Sequence, residues 1–433
     1  MPRVGWSDVC ESTDTCALTG AAAFCAGIPD ADILANGPMW CYFYAMRHLE
    51  HTDFNIAGRF SGSQPDNNAV VYGTEPYLTK ALQRLADEGR RPGLLFIENS
   101  CSLSLIGDDV AGIVKKMNLP FPCVTMDCGG LIGGFAEGYG RACISVLEKI
   151  ADAAPEIKKG SVNLLGLSDF YYNGVEDRKE LCRILTKAGY TVNCTAGSGS
   201  DIESLKRIGS AQLNIVCHEE LGLSAATYLK KRYGNDFVTA GVPYGIEGTR
   251  RWLEKINAAL PAAKLDDVLA ECEQERRALE QRNGDIRCVW GSLWFDRTVV
   301  AATGTAALCF AEALRSEWMD TGKLTVICHQ KISAEYCSLA DEIFTAEENR
   351  VGISELLAEA ADLLLVGSSS EASLLRRRGN ENCSVLTLAF PAKEDVLLIS
   401  YPFMGIRGSA HIQQLLWKLF IQKTLAEVKS VGV

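Results

Sequence analysis

Short apolar runs separated by amphipathic stretches recur along most of the chain, and their length and period assign them. Leu94–Ile97 is a continuous apolar run, the pattern of a strand buried on both faces. It stops at Asn99-Ser100, so Cys101 stands at the carboxyl end of that strand. The chain then passes through Gly107 into a helix over 108–117 whose first turn carries Asp108 and Asp109, where carboxylates suit the helix dipole. An apolar run at Val70–Tyr72 precedes a helix over 75–88, and the run 122–126 leads through Asp127-Cys128-Gly129-Gly130 into a long helix ending near Ala151. Beyond Pro155 the alternation resumes, with strands over 161–167, 191–194, 213–217 and 237–240 and helices over 175–188, 201–208, 221–233 and 247–260. The stretch 264–282 carries acids and arginines at helical spacing and reads as a charged surface linker helix. A third group follows, with strands over 287–290, 324–328, 363–366 and 385–388, a helix over 305–318 and a closing helix over 409–428.

Strands alternating with helices of this length imply parallel sheets covered on both faces. At 433 residues the chain is too long for one core. We expect an α/β fold of three Rossmann-like parallel-sheet domains around a central cleft, divided at about 1–155, 156–284 and 285–433, with the final helix returning to an earlier domain. The first 68 residues lack this texture. Gly, Pro, Asn and Asp recur there, and Cys10, Cys16, Cys25 and Cys41 fall within 32 positions, so the segment reads as loops wrapped around something. Ligands of open α/β sheets sit at the carboxyl ends of strands, which makes the surroundings of Cys101 a candidate site.

Charge and composition narrow the function. A formal net charge of -11 argues against a nucleic-acid or acidic-membrane partner, which would need a basic face. No apolar run approaches a membrane span and no cationic-then-apolar leader opens the sequence, so it reads as a cytoplasmic protein. Seventeen cysteines in a reducing compartment are free thiols rather than disulfides. Such usage also fits an anaerobe. Cys143, Cys182, Cys272 and Cys309 lie within helical patterns and read as small core hydrophobes. No G-x-x-x-x-G-K-[ST] phosphate loop occurs, so the chain is not expected to hydrolyse ATP by itself.

Three cysteines carry the candidate chemistry. Cys16 opens Cys-Ala-Leu-Thr-Gly, Cys41 follows the turn Asn36-Gly37-Pro38, and Cys101 ends Asn99-Ser100-Cys101. None has the C-x-x-C spacing of a local zinc or ferredoxin site. Three loop thiols at separated positions suit a soft metal centre, and iron–sulfur clusters are the commonest use of such thiolates. Elsewhere, Gly197-Ser-Gly-Ser200 before a helix could cradle an anion. Arg376-Arg377-Arg378 reads as a solvated helix end. His48, His51, His329 and His411 read as surface or satisfied core residues, with His329 at the end of a strand and so open to a cleft position. Trp40, Tyr42, Phe43 and Tyr44 cluster around Cys41, as interface, cluster shielding or core.

The chain resembles the nitrogenase component 1 family, which includes nitrogenase α and β subunits, cofactor-maturation scaffolds and the protochlorophyllide and chlorin reductases. The resemblance rests on Cys16 with Gly20 and Ala26-Gly27, Asn36-Gly37-Pro38 before Cys41, Asn99-Ser-Cys101 with Ile106-Gly-Asp-Asp109, Asp127-Cys-Gly-Gly-Leu-Ile-Gly133, Leu213-Asn-Ile-Val-Cys217, and Pro402-Phe-Met-Gly-Ile-Arg-Gly408. The cysteine spacings of 25 and 60 residues fit the family's cluster pattern. The resemblance implies that Cys16, Cys41 and Cys101 ligate an iron–sulfur cluster, [4Fe-4S] or P-cluster-like, at a subunit interface. Cys128 is either a fourth thiolate or a packing residue, and Cys10 and Cys25 compete for that place. It also implies a separate ATP-hydrolysing iron–sulfur reductase protein as electron donor and a homo- or hetero-oligomeric component 1 partner. The function implied is a reductase subunit relaying low-potential electrons to a cleft-bound substrate or cofactor; the alternative is a scaffold for metallocluster assembly without turnover, and a purely structural partner subunit is a third reading.

A further metallocofactor in the cleft is the less settled part of the resemblance. Cys217 stands where the catalytic α subunit anchors its iron–molybdenum-type cofactor, but the order here is Cys217-His218 where the α pattern has His-Cys. The second anchor, a histidine in a Pro-Tyr-His-Gly-type turn, reads Pro402-Phe403-Met404-Gly405. A thioether replaces an imidazole poorly on such a cofactor. The expectation is therefore a diffusible organic substrate, or a cofactor held differently, with His218 or His329 in place of the missing imidazole.

Overall fold

The structure is a computed structural model that describes residues 15–50, 52, 55–330, 332, 335–345, 362–377, 383–392, 395 and 401–430. Cys10, His51 and Arg378 lie outside the described residues. The strands form three separate parallel sheets. The first holds β1 (Ala31–Asn36), β2 (Phe60–Gly62), β3 (Leu94–Asn99) and β4 (Cys123–Asp127) in the order β2-β1-β3-β4. The second holds β5 (Lys158–Leu165), β6 (Thr191–Thr195), β7 (Ala211–Val216) and β8 (Asp236–Thr239) in the order β6-β5-β7-β8. The third holds β9 (Trp294–Ala302), β10 (Asp320–Cys328), β11 (Glu342–Thr345), β12 (Leu363–Gly367) and β13 (Ser384–Thr387) in the order β11-β10-β9-β12-β13. In each sheet the first strand in sequence lies inside and the order reverses beside it, which opens a crevice at the carboxyl ends. The α/β architecture of Rossmann-like parallel sheets is thus as the sequence pattern implied.

Among the described residues up to 68, a helix and a strand replace the expected loops, and this corrects the sequence reading. Ala17–Ala26 is a helix buried on every side, and β1 is buried at all six positions. A helix without a polar face shows no amphipathic period, so the main helical signal is missing. In β1 the residues that read as turn formers are paired: Asp32 meets Arg90 at 2.9 Å, and Asn36 donates to Asn99 at 2.9 Å. The run Val70–Tyr72 lies in a helical turn, Ala69–Tyr72, and the strand beside β1 at the sheet's edge is β2 instead. The charged segment forms a 26-residue helix, Leu265–Trp290. It absorbs the stretch 287–290 that looked like a strand, and the third sheet begins only at Trp294.

The cores are shared between sheets. One face of the middle sheet packs with the first sheet's helices through Leu165, Val216 and Leu221. Its other face joins the third sheet through Leu164, Ile215, Phe310 and Val326. The closing helix, Gly405–Ser430, does return to an earlier part of the chain: it packs on Gly174–Lys187, and Trp417 donates to Asn283 Oδ1 at 2.8 Å. No helix among the described residues is long and apolar enough to cross a membrane.

Candidate functional site

The carboxyl ends of the first sheet gather the cysteines. Cys16 is the N-cap residue of Ala17–Ala26 and is exposed; its backbone bridges to Gly134, and the amide of Ala17 donates to Gly133 O at 3.2 Å. Cys41 sits in the first turn of the helix Met39–Leu49, which Pro38 opens, and is half-buried. Burial pushes its thiol up to about 11, with the neighbouring Cys16, Cys101 and Glu98 adding to the rise. Cys101 begins a short helix, Cys101–Ile106, that the sequence pattern did not reveal. Gly129 lies against it so closely that an added Cβ would stand 2.6 Å from Cys101 Cα and 3.1 Å from its Sγ. Cys128 is buried, its thiol donates to Met126 O at 3.4 Å, and burial followed by Glu98 and Cys25 raises it well above the ordinary thiol range. Cys25 is fully buried within the first helix.

Asp108 and Asp109 take the local roles that helix chemistry suggests. Asp109 accepts from Gly112 N at 2.8 Å as an N-cap, and Asp108 accepts from the hydroxyl of Thr74 at 2.6 Å. The surface around the cysteines is apolar. Met39, Trp40, Phe43 and Tyr44 on the Cys41 helix are 52%, 60%, 39% and 66% exposed, and the rings of Trp40 and Tyr44 stack at 6.0 Å. Val71, Tyr72 and Leu105 are also exposed, on two helical segments that pack together. An exposed apolar patch of this kind marks a contact surface.

The second and third sheets point their carboxyl ends into a different space, a narrow aromatic-walled cavity. Leu167 and Ser168 follow β5, His218 follows β7, Thr303 follows β9 and His329 follows β10. Of the pair Cys217-His218, His218 lines the cavity; Cys217 is fully buried in the core shared with the third sheet, where burial and then Cys182 raise its thiol. The His218 ring stands edge-on to Tyr171 at 4.9 Å, with Nδ1 3.5 Å from Glu220 Oε1. Across the cavity His329 Nε2 lies 3.0 Å from Glu371 Oε1, while the other Glu371 oxygen accepts from Ser368 N at 2.9 Å. Burial alone would raise both glutamates, but the imidazoles and nearby hydroxyls hold them below the ordinary carboxylate range. Met404 lines the cavity too, and the Phe403 and Met404 amides donate to Asp177 Oδ1 at 2.6 and 2.8 Å. Burial pushes the Asp177 carboxyl up to about 7 against the pull of these donors.

Sequence reasoning missed His48, Tyr171, Glu220, Glu371 and Asp177. His48 carried a usable signal, since it lies seven residues after Cys41, two turns along one helix face. It lines the cavity between Phe135 and Phe390. The Gly197–Ser200 turn is filled by the chain itself: Gly199 N donates to Gly27 O at 2.7 Å, and Asp201 caps the next helix by accepting from Ser204 N at 2.9 Å. Its carboxylate occupies the place an anion would take. Arg376 and Arg377 are exposed at a helix end, and His411 stands beside Pro402 O, at 3.2 Å.

Relatives match this arrangement over most of its length. A light-independent protochlorophyllide reductase subunit of Zygnema circumcarinatum is 23% identical over 418 residues, covering 88% of this chain and 77% of that one. The same subunit of Acaryochloris marina (strain MBIC 11017) is 25% identical over 408 residues with the same coverage. Two solved structures, described as nitrogenase Cp1 at pH 6.5 and at pH 5, share the fold with TM-scores of 0.78 and 0.76 at 15% and 18% identity. They cover 98% and 97% of this chain, and 94% and 89% of their own. The family model for nitrogenase component 1 type oxidoreductases matches residues 16–419. The chain belongs to the nitrogenase component 1 type oxidoreductase family.

Proposed function

We propose that the chain is a reductase subunit that receives low-potential electrons from a separate ATP-hydrolysing iron–sulfur protein and reduces an organic substrate held in the cleft. The observation that carries this reading is the pairing of accessible thiols at the strand ends of the first sheet with an aromatic-walled cavity at the strand ends of the other two. Cys16, Cys41 and Cys101 would hold an iron–sulfur cluster, with Cys128 behind them as the fourth thiol. Thiolates are the ligand type such clusters take. Among the described residues no three His, Cys, Asp or Glu side chains are gathered as tightly as a single metal ion requires, and a multi-iron cluster spans thiolates set wider than that. When bound, the cluster supplies one-electron transfer at low potential.

The rest is the work of this chain's residues. The helix Met39–Leu49 joins the two regions, with Cys41 in its first turn and His48 at the cavity wall. Phe135, next to the Gly134 that bridges Cys16, forms part of the same wall and excludes water. The aromatic lining suits a flat conjugated substrate, the class that the relatives' name indicates for them. His218 and His329 are the groups at the wall suited to exchanging a proton; Glu371 fixes the His329 ring through its hydrogen bond, and Glu220 stands beside His218. Met404 offers no imidazole, so the cleft takes a diffusible substrate rather than an α-subunit-type cofactor. A component 1 partner, identical or related, would cover Trp40, Tyr44 and their neighbours.

Anaerobic isolation with iron and sulfide analysis and electron paramagnetic resonance tests the cluster. Cys16→Ala, Cys41→Ala and Cys101→Ala should each lose most of the iron, and Cys182→Ala should keep it. Equal iron in all four variants would remove the basis for the assignment. Adding the iron protein, ATP and protochlorophyllide as a planar probe separates the readings: substrate consumption marks a reductase, whereas cluster transfer to an apo partner without turnover marks an assembly scaffold.

A further inference from the structure

At the carboxyl end of the first sheet, the four strands are tied by one line of polar side chains. The strand register places Asn36 opposite Asn99, and Asn99 opposite Asp127. Ser63, just past the edge strand β2, donates from Oγ to Asn36 Oδ1 at 2.7 Å. Asn36 Nδ2 donates to Asn99 Oδ1 at 2.9 Å, and Asn99 Nδ2 donates to Asp127 Oδ1 at 3.0 Å. Ser104 closes the far end by donating to the same Asp127 oxygen at 2.9 Å. Asn36 and Asn99 are 0% and 4% exposed.

The direction of this line is forced. A carboxylate only accepts, so Asn99 must turn its amide nitrogen to Asp127 and its oxygen to Asn36. Asn36 must then present nitrogen to Asn99 and oxygen to Ser63. Every donor along the line points toward Asp127, and aligned hydrogen bonds of this kind strengthen one another. Removing Asn36 or Asn99 leaves a buried polar atom without its partner, which costs more than the bond itself contributes, whereas Asp127 stands at the exposed end of the line.

The cysteines that follow three of its members give the line its meaning. Cys41 comes five residues after Asn36, Cys101 two after Asn99, and Cys128 one after Asp127. The backbone repeats the tie: Ser100 N donates to Asn36 O at 3.0 Å, and Cys128 N donates to Asn99 O at 2.8 Å. We propose that Ser63, Asn36, Asn99 and Asp127 are positioning residues for the cluster, holding the loops of Cys41, Cys101 and Cys128 in one frame, and that the Asp127 carboxylate sets the cluster's reduction potential. This rests on the cluster reading above. Asp127 adjoins Cys128 in the chain, so its negative charge disfavours an added electron on a cluster held there, and the line ties that charge to the strand ends that carry the ligands.

The test uses the full chain, isolated anaerobically with its iron, and a redox titration followed by electron paramagnetic resonance. Asp127→Asn keeps an oxygen for Asn99 and Ser104 to donate to and removes only the charge. It should retain wild-type iron and melting temperature while shifting the ratio of reduced to oxidised cluster, at fixed potential, at least threefold toward reduced. A tenfold shift corresponds to about 59 mV for a one-electron couple. Asn99→Ala breaks the line in the middle and should alter the resonance spectrum of the iron that remains. A wild-type midpoint in Asp127→Asn together with a wild-type spectrum in Asn99→Ala overturns the inference while leaving the cluster reading in place. Should Asn99→Ala fail to fold, Asp127→Asn decides alone. Wild-type protein that takes up no iron overturns both.

Discussion

Asp177 shows what burial does to one carboxyl group at the edge of the cleft. Its folded value of about 7 lies above the 3.8 of the free side chain, because burial outweighs the Phe403 and Met404 amides, with Glu180 and Glu176 adding to the rise. Between these two values the folded protein keeps a proton that the unfolded chain has released. Stability from this group therefore falls as pH rises from about 4 to about 7 and stays level above. Asp177→Asn keeps an oxygen for both amides and removes the titration. We expect its melting temperature to match wild type near pH 4 and to exceed it at pH 8. The limiting difference is ~4 kcal/mol, from about three pKa units at ~1.4 kcal/mol each. Parallel melting curves for the two proteins across that range would refute the assignment. Nothing in the sequence marks Asp177, which reads as one acid among several in an amphipathic helix. Its role depends on a turn 226 residues away. That Cys101 stands at the end of a strand and Cys41 just past a turn was legible because those signals are local. His218 and Met404 were legible only through the resemblance.

The paired helices Ala17–Ala26 and Phe135–Ile150 set the distance between the cysteines and the cleft. Their backbones touch: a Cβ at Gly138 would stand 1.9 Å from the Ala17 carbonyl oxygen, and one at Gly20 the same 1.9 Å from that of Phe135. Such overlap cannot be relieved by a rotamer change, since the atoms met are backbone. Gly138→Ala should destabilise the protein by ~2–3 kcal/mol or more and, by spreading the helices, lower the iron content as well. Gly58→Ala, with open space around it, serves as the control. Denaturation midpoints that agree for the two variants would show the contact to be looser than it looks. This element was the least readable part of the chain. Ten buried residues rich in alanine offer neither a period nor a polar face, whereas the half-buried helices further on announced themselves. The strand expected at 287–290 failed for a related reason. Cys288-Val289-Trp290 is apolar but continues a helix whose exposed end tolerates it, and Val289 is 75% exposed.

At the scale of the molecule, the cysteine face and the cavity are joined by the helix Met39–Leu49, which carries Cys41 in its first turn and His48 at the cavity wall. The cleft is internal, whereas the cysteine face is ringed by exposed aromatic side chains and so suits a protein partner. Replacing Trp40 and Tyr44 with glutamate should release the chain from any component 1 complex isolated from its own cells, leaving the folded single chain on sizing. Persistence of the complex would place the interface elsewhere. The overall plan of parallel sheets was legible because alternation of strand and helix is a repeated local signal. The sharing of cores between sheets was not, since no stretch of sequence records which faces meet.

The closing helix carries a consequence for how the protein is made. Phe403, Ile406, Ile412 and Leu416 belong to the core that β5 and β7 also line, and Gly405 N donates to Pro243 O at 2.7 Å. The first sheet has all its strands and its paired helices by residue 150 and can close while the ribosome is still working. The middle sheet has its strands by residue 239 but lacks one wall until the helix at 405–430 emerges. For that interval it presents an apolar trough to the cell, and contacts this distant in sequence form slowly. Synthesis thus runs in one order and completion in another, with the cleft, where substrate would bind, sealed last.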